Sequence, residues 1–485
     1  MYLRKIGVKG KAMKPHIVLV NPPYRNKRHQ HAPSPPLGLG YLAAVLEKHH
    51  YTVEVIDCQA SKLSPEEFKR EISKRQPTIV GATATTRLYN SAIELIQIAK
   101  EVHPNCLTLI GGPHVTFWDE TALKECPQLD VVVRREGETT LLELVQRLEA
   151  GKSYYDVVGT TCRKGKGFVR NPDRPYIEDL DEIPFPARHL WDLDRLRKAE
   201  DIFYLITTRG CIYWCEFCAT VRMFGRKYRM RSVKNVVDEL EFLYKTYGAT
   251  VFTFNDDAFT VDQARTEELC NEIMKRGLKI KWNCGTRVDM ITKELLIKMR
   301  DAGCVSVWFG VESGTQQVLD EMKKGISLEQ TMRTIGWVIE LGLRPVPNVL
   351  LGFPGETKET AWKTIKFAEK VSPYDIAMYN IATPYPGTPM YDAVVKNGWL
   401  RVTNFDLYDA TTPIFETPML SMKELEELYE KAFQSFYLRP KYILRMLARG
   451  PTYGSSALQY VMEQFIKAVK SRTLADIMRR HIRNA

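Results

Sequence analysis

Along residues 16–140, short apolar runs alternate with segments of helical spacing. The apolar runs are continuous, whereas a strand with one solvent-exposed face would alternate apolar and polar residues. They therefore predict strands buried on both faces of a parallel sheet. The five predicted strands are residues 16–20, 52–56, 78–82, 107–110 and 131–133, and two of the predicted helices are residues 39–49 and 89–102. Strand and helix in alternation predict an α/β domain with a doubly wound sheet over residues 1–140.

The same alternation returns after residue 200. Six further strands are predicted at residues 203–207, 250–254, 280–284, 305–309, 345–350 and 376–379. Six βα units make an open, partial (β/α)6 TIM-like barrel over residues 201–400, with active-site residues expected at the C-terminal ends of the strands. Residues 141–200 contain polar and proline-containing stretches that predict a linker, and residues 401–485 form a basic, helical C-terminal domain.

Three cysteines follow the first barrel strand in C-x3-C-x2-C spacing: Cys211, Cys215 and Cys218. Three thiolates on one loop can hold three corners of a [4Fe-4S] cluster and leave one iron open to a substrate or cofactor. A structural zinc site is the alternative. It needs four protein ligands, and because the loop offers no fourth Cys or His, Cys284 or Cys304 would have to supply one through the fold.

The spacing, the Arg209-Gly210 turn before it and the aromatic Phe217 before the last cysteine closely resemble the cluster motif of radical S-adenosylmethionine (SAM) enzymes. The resemblance implies that SAM chelates the open iron. One electron then cleaves SAM to methionine and a 5′-deoxyadenosyl radical, which takes hydrogen from an unactivated carbon. The resemblance also implies an electron donor such as a flavodoxin or a ferredoxin.

Polar residues follow the next three predicted strands. They are Asn255, Asp256 and Asp257 after the second strand, Arg287 after the third, and Glu312 and Ser313 after the fourth. Each can be a simple turn residue or helix N-cap, but SAM needs both carboxylate and cationic partners. The resemblance implies that residues 255–257 lie near the methionine amino group, and that Arg287 and Glu312 line the carboxylate or ribose region. It also places Phe217 and Ser313 in the SAM site, and no catalytic acid or base is identified.

The turns that follow the strands of the first domain are rich in Gly, Pro and small hydroxyl residues. Ligands of doubly wound sheets lie at such strand ends, although each turn taken singly is an ordinary βα turn. Together they resemble the Rossmann-like cobalamin-binding domain that precedes the barrel in one large class of radical SAM enzymes, a resemblance that covers about residues 15–400. The cobalamin-binding residues that it implies are Pro36, Leu37, Gly38, Thr83, Gly111, Gly112, Pro113, His114, Glu136, Gly137 and Glu138.

Many cobalamin domains carry an Asp-x-His-x-x-Gly pattern whose histidine ligates cobalt. None of the nine histidines here occurs in that pattern. His114 follows Gly-Gly-Pro, as in many relatives, and we interpret it as a turn or cofactor-edge residue rather than a cobalt ligand. A radical cyclase or coupling enzyme that works without cobalamin is therefore an alternative, and so is a non-catalytic cobalamin or metal sensor.

Amino-acid composition and charge indicate the cellular compartment and the kind of partner. Apart from the three of the motif, the ten cysteines are scattered singly, as in proteins of a reducing compartment. Since no apolar run approaches the roughly 18 residues of a membrane span and the N-terminus lacks a signal-peptide pattern, we expect a cytoplasmic protein. Of the net charge of +11, +9 falls within residues 431–485. This asymmetry predicts an anionic partner, either a membrane surface or nucleic acid.

The basic tail contains an amphipathic segment at residues 458–469, whose apolar face can dock on the barrel or lie on anionic lipid at the inner face of the membrane. Residues 436–447 resemble the tails of relatives that act on hopanoids, archaeal tetraether lipids and tetrapyrroles. We therefore expect radical C-methylation or C–C bond formation on a lipid or isoprenoid substrate, and no DNA partner.

Modification of a tetrapyrrole or of tRNA is the alternative. A tRNA methylthiotransferase would explain the positive charge, but it should carry a second set of cluster cysteines upstream of the first. The upstream cysteines, Cys58, Cys106, Cys126 and Cys162, show no paired spacing of that kind.

Overall fold

The computed structural model of the protein describes residues 14–26, 35–199, 201–373, 376–440 and 442. Seven strands form the first sheet: β1 (His16–Asn21), β2 (Thr52–Asp57), β3 (Ile79–Thr83), β4 (Leu107–Gly111), β5 (Val131–Val133), β6 (Thr160–Lys164) and β7 (Gly167–Arg170). Their order is β2-β1-β3-β4-β5-β6-β7. The first five strands are parallel, and β6 and β7 are antiparallel to their neighbours.

Helices cover both faces of this sheet. They are α1 (Leu37–Lys48), α2 (Pro65–Ser73), α3 (Tyr89–Val102), α4 (Pro113–Thr116), α5 (Asp119–Glu125) and α6 (Glu138–Glu149). Because successive strand residues point to opposite faces, a continuous apolar strand supplies two cores. In β1, Ile17 and Leu19 pack under α1 and α6, while Val18 and Val20 pack under α2 and α3. The predicted doubly wound sheet is confirmed.

The segment assigned to a linker, residues 141–200, contains most of α6, the β6–β7 hairpin and α7 (Leu193–Ala199). The hairpin extends the first sheet, since Val131 pairs with Cys162 and Val133 with Thr160. Its strands were missed because they are rich in polar residues: Thr160 and Thr161 are fully buried, whereas β7 is partly exposed. The first sheet therefore reaches Arg170, and the domain boundaries at residues 140, 200 and 400 stay predictions.

The second sheet is built from β8 (Phe203–Leu205), β11 (Val251–Phe254), β12 (Lys281–Thr286), β13 (Cys304–Glu312), β14 (Arg344–Leu351) and β15 (Met378–Ile381). These six strands are parallel and lie in the order β8-β11-β12-β13-β14-β15. A short antiparallel pair, β9 (Thr208–Arg209) and β10 (Arg229–Met230), follows β8 in the chain. All six predicted barrel strands are present, and the partial barrel is confirmed.

Helices follow the strands of this sheet along the chain, and several of them pack on its outer face. They are α8 (Thr220–Phe224), α9 (Val233–Tyr247), α10 (Gln263–Lys275), α11 (Lys293–Asp301), α12 (Gln316–Glu321), α13 (Leu328–Glu340), α14 (Lys358–Val371), α15 (Pro389–Lys396) and α16 (Met422–Tyr437). Phe252, Phe254, Trp282 and Phe309 form the centre of the barrel core. Because outward-facing strand residues fill this core, the inward-facing ones and the strand ends remain for polar groups.

In the described part of the C-terminal region, residues 401–421 are mostly irregular, and the helix α16 follows them. The α16 helix packs against α14 and β15, with Phe436 fully buried and the Tyr437 hydroxyl donating to the Ala377 carbonyl at 2.7 Å. The amphipathic segment at residues 458–469 lies outside the described residues, as does most of residues 436–447. Within the described part of the chain, no helix combines the length and apolarity that crossing a bilayer requires.

Candidate functional site

Four buried charged side chains join the two sheets at the C-terminal ends of their strands. Glu136 and Glu138 follow β5, and Arg209 and Arg229 lie on β9 and β10. Arg209 donates to Glu136 Oε1 (2.9 Å) and to Glu138 Oε1 (2.5 Å). Arg229 Nη1 donates to both carboxylate oxygens of Glu136 at 2.9 Å. We call these four residues the clasp. Because Cys211 follows Arg209 by two positions, the clasp fixes the base of the cysteine loop against the first sheet.

Each residue of the clasp is at most 9% exposed. Burial acts to raise the pKa of Glu138, but the Arg209 guanidinium outweighs burial and lowers it. The two carboxylates likewise raise the pKa of Arg209 against the effect of burial. Buried ion pairs are tolerated only when hydrogen bonds satisfy their remaining groups. Here Glu136 Oε2 also accepts from the Ile177 N–H (2.9 Å), and Arg229 Nη1 donates to the Ile177 carbonyl (2.6 Å).

The cysteine loop, residues 210–228, begins at a glycine that the geometry requires. Gly210 has φ of +93°, and a Cβ there would lie 2.5 Å from the Lys227 carbonyl oxygen. Farther along, the Glu216 N–H donates to the Met322 carbonyl (3.0 Å), and the Glu216 carbonyl accepts from the Met390 N–H (3.1 Å). The backbone thus ties the loop to segments that follow β13 and β15. The three predicted cluster ligands are partly exposed free thiols on this loop: Cys211, Cys215 and Cys218.

Two cations near the thiols favour their ionised form. Burial raises the pKa of Cys215, and the charges of Lys324 and Arg287 oppose that effect. Both cations also oppose the effect of burial on the pKa of Cys211, while burial raises the pKa of Cys218 to about 11. Cluster ligands are thiolates, which positive neighbours stabilise. The donor set on this loop therefore fits a [4Fe-4S] cluster.

The same residues fit a structural zinc ion less well than they fit a cluster. Cys284 and Cys304 lie in the barrel core, where burial raises the pKa of both thiols. Among the residues that the structure describes, no three His, Cys, Asp or Glu side chains form a group that could hold one metal ion. The thiolates of a cubic cluster bind separate iron atoms, so they need not converge on one point as zinc ligands do.

Arg287 carries an unused hydrogen-bond donor at this site. Its guanidinium carbon lies 3.4 Å from the centroid of the Tyr213 ring, and Nε and Nη2 donate to the Asp289 carboxylate, each at 2.9 Å. Nη2 also donates to the Lys324 carbonyl at 2.7 Å. In the described part of the chain, the buried Nη1 has no partner. A buried donor without a partner is costly, which fits the predicted role of Arg287 towards the carboxylate or ribose of SAM.

Glu312 and Lys324 form a buried ion pair at the end of β13, with 2.8 Å between Oε1 and Nζ. Glu312 has φ of +61°, a conformation that costs roughly 1–3 kcal/mol in a non-glycine residue and is common at functional sites. A Cβ at Gly310 would lie 2.5 Å from both Glu312 Oε1 and Lys324 Nζ, so glycine makes room for the pair. Ser313 is fully buried instead, and its hydroxyl bonds Thr364 Oγ1 at 3.1 Å.

The three polar residues after β11 have different surroundings. Asp256 is buried, and its carboxylate accepts from the Thr207 N–H (2.6 Å), the Thr207 hydroxyl (2.7 Å) and the Thr208 N–H (2.9 Å). It therefore holds the strand before the cysteine loop in place. The side chains of Asn255 and Asp257 are exposed to solvent. Desolvation of the Asp257 carboxyl group raises its pKa to about 6, although the Thr220 hydroxyl donates to it at 2.9 Å and acts to lower that pKa. Asn255 and Asp257 are thus the two free to meet a ligand.

A buried carboxyl group lies behind the end of β14. Glu356 is fully buried and accepts from the Gly352 N–H at 2.5 Å. Burial raises the pKa of Glu356 to about 8, although the bonds from Gly352 and Thr364 act to lower it. The carboxyl group is therefore protonated at neutral pH. Phe217 packs in the neighbouring apolar cluster around Phe353 and Phe415, on the inner side of the cysteine loop.

At the edge of the first sheet, His114 is 2% exposed and packs between aromatic rings. Its ring centroid lies 4.4 Å from that of Tyr89 and 4.5 Å from that of Phe405. Burial lowers the pKa of His114 to about 3, so its imidazole is neutral. This geometry agrees with the prediction that His114 is a turn residue. Its contact with a cofactor stays a prediction, and the buried Nε2 has no partner among the described residues.

The other predicted cobalamin residues divide in the same way. Gly112 has φ of +109° and a hypothetical Cβ only 2.8 Å from the Ala84 carbonyl oxygen, so it is required by the turn after β4. The clasp arginines bind the carboxylates of Glu136 and Glu138, and the role of these two residues towards cobalamin stays a prediction. Seven further residues lie at strand ends or helix starts, and their role towards cobalamin stays a prediction. They are Pro36, Leu37, Gly38, Thr83, Gly111, Pro113 and Gly137.

A residue that the sequence analysis missed lies at this edge. Arg87 follows β3, and its guanidinium carbon is 4.4 Å from the centroid of the Tyr24 ring. Its Nε and Nη2 are buried without a partner among the described residues. Its charge also lowers the pKa of Tyr385 from the barrel, although burial prevails and raises that pKa to about 12. Unsatisfied donors between the two sheets fit a ligand rich in acceptors, such as cobalamin with its amide groups.

Known families match both halves of the chain. The Radical SAM superfamily matches residues 205–368, and the B12 binding domain matches residues 31–145. An uncharacterized methyltransferase, PH0819 of Pyrococcus horikoshii, is 37% identical over 88% of this chain and 94% of its own length. The chain belongs to the cobalamin-binding radical SAM enzymes. It thus carries the domains that use a [4Fe-4S] cluster, SAM and cobalamin, which confirms these three predicted cofactors.

Other relatives of this enzyme span a range of reactions. An anaerobic magnesium-protoporphyrin IX monomethyl ester cyclase of Cereibacter sphaeroides is 32% identical over 95% of this chain and 76% of its own length. The hopanoid C-3 methylase of Methylococcus capsulatus is 26% identical over 79% of this chain and 72% of its own. The fold matches TsrM, a radical SAM methyltransferase of Kitasatospora setae, with a TM-score of 0.70 and 21% identity over 87% of this chain and 85% of that one. The chain is therefore a methyltransferase-like cobalamin radical SAM enzyme.

The clasp yields a first prediction. Arg209→Met should lower the free energy of unfolding by about 3–5 kcal/mol, because it leaves buried carboxylates without their cation. Arg401→Met is the matched control, since Arg401 pairs with Glu416 at an exposed site, and it should cost about 0–1 kcal/mol. Urea unfolding followed by circular dichroism measures both. Equal midpoints for Arg209→Met and the wild type would contradict a stabilising clasp.

Glu356 yields a second prediction, on pH. Its pKa is about 8 in the folded protein against an ordinary 4.5, so the folded state binds the proton more tightly than the unfolded state does. The contribution of this carboxyl group to the free energy of unfolding is therefore largest at acid pH. It falls as the pH rises, by about 2–3 kcal/mol between pH 5 and 7. Glu356→Gln should remove this slope. Urea midpoints measured across that range, wild type beside variant, test it, and parallel pH profiles would refute it.

Proposed function

We propose that this enzyme uses its radical to methylate, or to form a C–C bond at, an unactivated carbon of a lipid or isoprenoid substrate. The observation that carries the proposal is the clasp, which joins the base of the cysteine loop to the C-terminal edge of the first sheet. When bound, the cluster and SAM supply a 5′-deoxyadenosyl radical, and cobalamin supplies a methyl group. A substrate carbon between the two edges would be within reach of both cofactors.

The chain's own residues bind and orient around that chemistry. Cys211, Cys215 and Cys218 would hold the cluster, with Lys324 and Arg287 stabilising the thiolates. The unpartnered Nη1 of Arg287 would donate to the carboxylate or ribose of SAM, and Asn255 with Asp257 would meet its amino group.

Further residues would line the SAM site and bind cobalamin. The Glu312–Lys324 pair would line the ribose side of the SAM site, and Phe217 its apolar wall. Arg87, which follows β3, would donate to cobalamin through its unpartnered Nε and Nη2. In this proposal these residues position the cofactors and exclude water, and no catalytic acid or base is assigned.

Two relatives bear on the substrate. The hopanoid methylase acts on an isoprenoid lipid, which supports the lipid proposal at 26% identity. The protoporphyrin ester cyclase is more similar, at 32% identity, so a tetrapyrrole is the second candidate. The basic residues 431–485 support a peripheral position at an anionic membrane surface, where either apolar substrate would partition. Such a position would place the enzyme at the inner face of the cell membrane.

A tRNA methylthiotransferase is disfavoured by the first domain. Cys58, Cys106, Cys126 and Cys162 are all buried, and burial raises the pKa of each thiol. Buried, protonated thiols at separate positions do not make a second cluster site. The charge of the tail therefore remains available for a lipid surface.

Anaerobic reconstitution tests the proposal. With SAM and dithionite, the wild type should release 5′-deoxyadenosine, and Cys215→Ala should reduce its formation by at least about 100-fold because the cluster loses one of three ligands. Cys270→Ala is the matched control, since Cys270 is a buried thiol of the barrel core, and it should retain formation.

Label from methyl-deuterated SAM then identifies the substrate class. We expect the label in the apolar lipid fraction of a cell extract incubated with the enzyme and reductant, and not in the tRNA fraction. Label in the tetrapyrrole fraction alone would replace the lipid proposal with the second candidate. A Cys215→Ala protein that forms 5′-deoxyadenosine as fast as the wild type would refute the radical SAM assignment of the loop.

A further inference from the structure

The cysteine loop exposes two large apolar side chains. Ile212 is 41% exposed and follows Cys211, and Trp214 is 42% exposed and precedes Cys215. Their neighbour Tyr213 lies instead against Arg287, on the side of the loop that faces the barrel. The loop thus turns one aromatic ring inward and another outward. An exposed apolar pair directly beside cluster ligands is a typical feature of an interaction surface.

Positive charge surrounds this apolar pair. The guanidinium carbons of Arg222 and Arg226 lie 5.2 and 5.8 Å from the centroid of the Trp214 ring. Within the described residues, neither guanidinium forms an ion pair, whereas the nearby Lys227 and Lys323 each pair with a glutamate. Cation–π contact holds the two arginines over the ring without neutralising them. The loop therefore presents an apolar centre with two uncompensated charges at its edge.

We propose that Ile212, Trp214, Arg222 and Arg226, which we call the donor surface, dock an acidic one-electron carrier protein of the flavodoxin or ferredoxin type. This proposal rests on the proposed function, because it assumes a cluster on the adjacent cysteines. Redox partners meet through small interfaces that charge complementarity steers. The arginines would supply that steering. Trp214 and Ile212 would form the apolar, water-excluding contact nearest to the cluster.

The electron balance of the encounter is simple. The reduced carrier loses one electron, the oxidised cluster gains it, and no covalent bond forms or breaks in either protein. Since Ile212 and Trp214 adjoin two of the three cluster ligands in the chain, a carrier at the donor surface would lie against the loop that holds the cluster. The opposite side of the loop stays free for SAM, so both can bind together.

The test uses the anaerobically reconstituted full-length enzyme with a fully reduced flavodoxin and, separately, a reduced ferredoxin. The double charge reversal Arg222→Glu with Arg226→Glu should raise the Kd of at least one carrier about tenfold or more at low ionic strength, and slow carrier-driven cluster reduction similarly. Reduction by dithionite should keep the wild-type rate. Arg333→Glu is the matched control, because the guanidinium carbon of Arg333 also lies over an aromatic ring, 5.7 Å from the centroid of Trp337. It should change neither quantity.

Two further variants keep the outcome decisive. Arg222→Lys with Arg226→Lys should restore carrier binding, and Arg226→Glu alone offers a milder change should the double variant not fold. Unchanged binding and reduction in the reversed variants, equal losses with dithionite, or a wild type that neither carrier reduces would each overturn the donor surface. If the wild type forms no 5′-deoxyadenosine even with dithionite, the proposed function fails instead.

Discussion

Two arginines hold the functional halves of this molecule together: both bond Glu136, and Arg209 also bonds Glu138. Each half presents the C-terminal ends of its parallel strands, where open α/β sheets and barrels bind their ligands. Neither half alone brings two such edges together. The clasp does so by burying four charged groups that are hydrogen-bonded to one another, and Arg209 lies two residues before the first cysteine. The position of the cysteine loop is therefore coupled to the position of the first sheet.

The strand-end polar residues divide into those that build the site and those that remain available to ligands. The side chains of Asp256, Ser313 and Glu138 are hydrogen-bonded to other protein groups and fix the turns around the loop. Arg87 and Arg287, in contrast, keep buried donors without partners in the described part of the chain. Because an unsatisfied buried donor is destabilising, its persistence is best explained by a ligand. The position of these two arginines at strand ends is part of this argument, because the buried Nε of Arg188 and of Arg229 also has no partner among the described residues.

Much of this was predictable from local pattern. Continuous apolar runs identified the five parallel strands of the first sheet, since a strand buried on two faces has no polar alternation, and the alternation of strand and helix identified the six strands of the second. The cysteine motif identified the cluster loop because its ligands are close in sequence. The β6–β7 hairpin escaped because its buried residues Thr160 and Thr161 are polar and satisfy their hydroxyls through the fold.

The clasp and Arg87 were not predictable in the same way. Glu136 and Glu138 occur in a turn that resembles a cofactor site, and only the fold shows that Arg209 and Arg229, more than 70 residues away, claim their carboxylates. His114 likewise has the sequence context of a cofactor contact but packs against Phe405 from the far end of the chain. Contacts between distant segments decide which polar residue is free, and no local pattern reports them.

The central claim is that the cluster loop and the cobalamin edge face one shared site. Electron paramagnetic resonance of the anaerobic enzyme, with its cluster reduced and its cobalamin in the cob(II) state, measures this most directly when SAM is left out. The account predicts magnetic coupling between the two centres, seen as splitting or broadening that is absent when either centre is removed. Two independent, unperturbed signals from a fully loaded enzyme would contradict it.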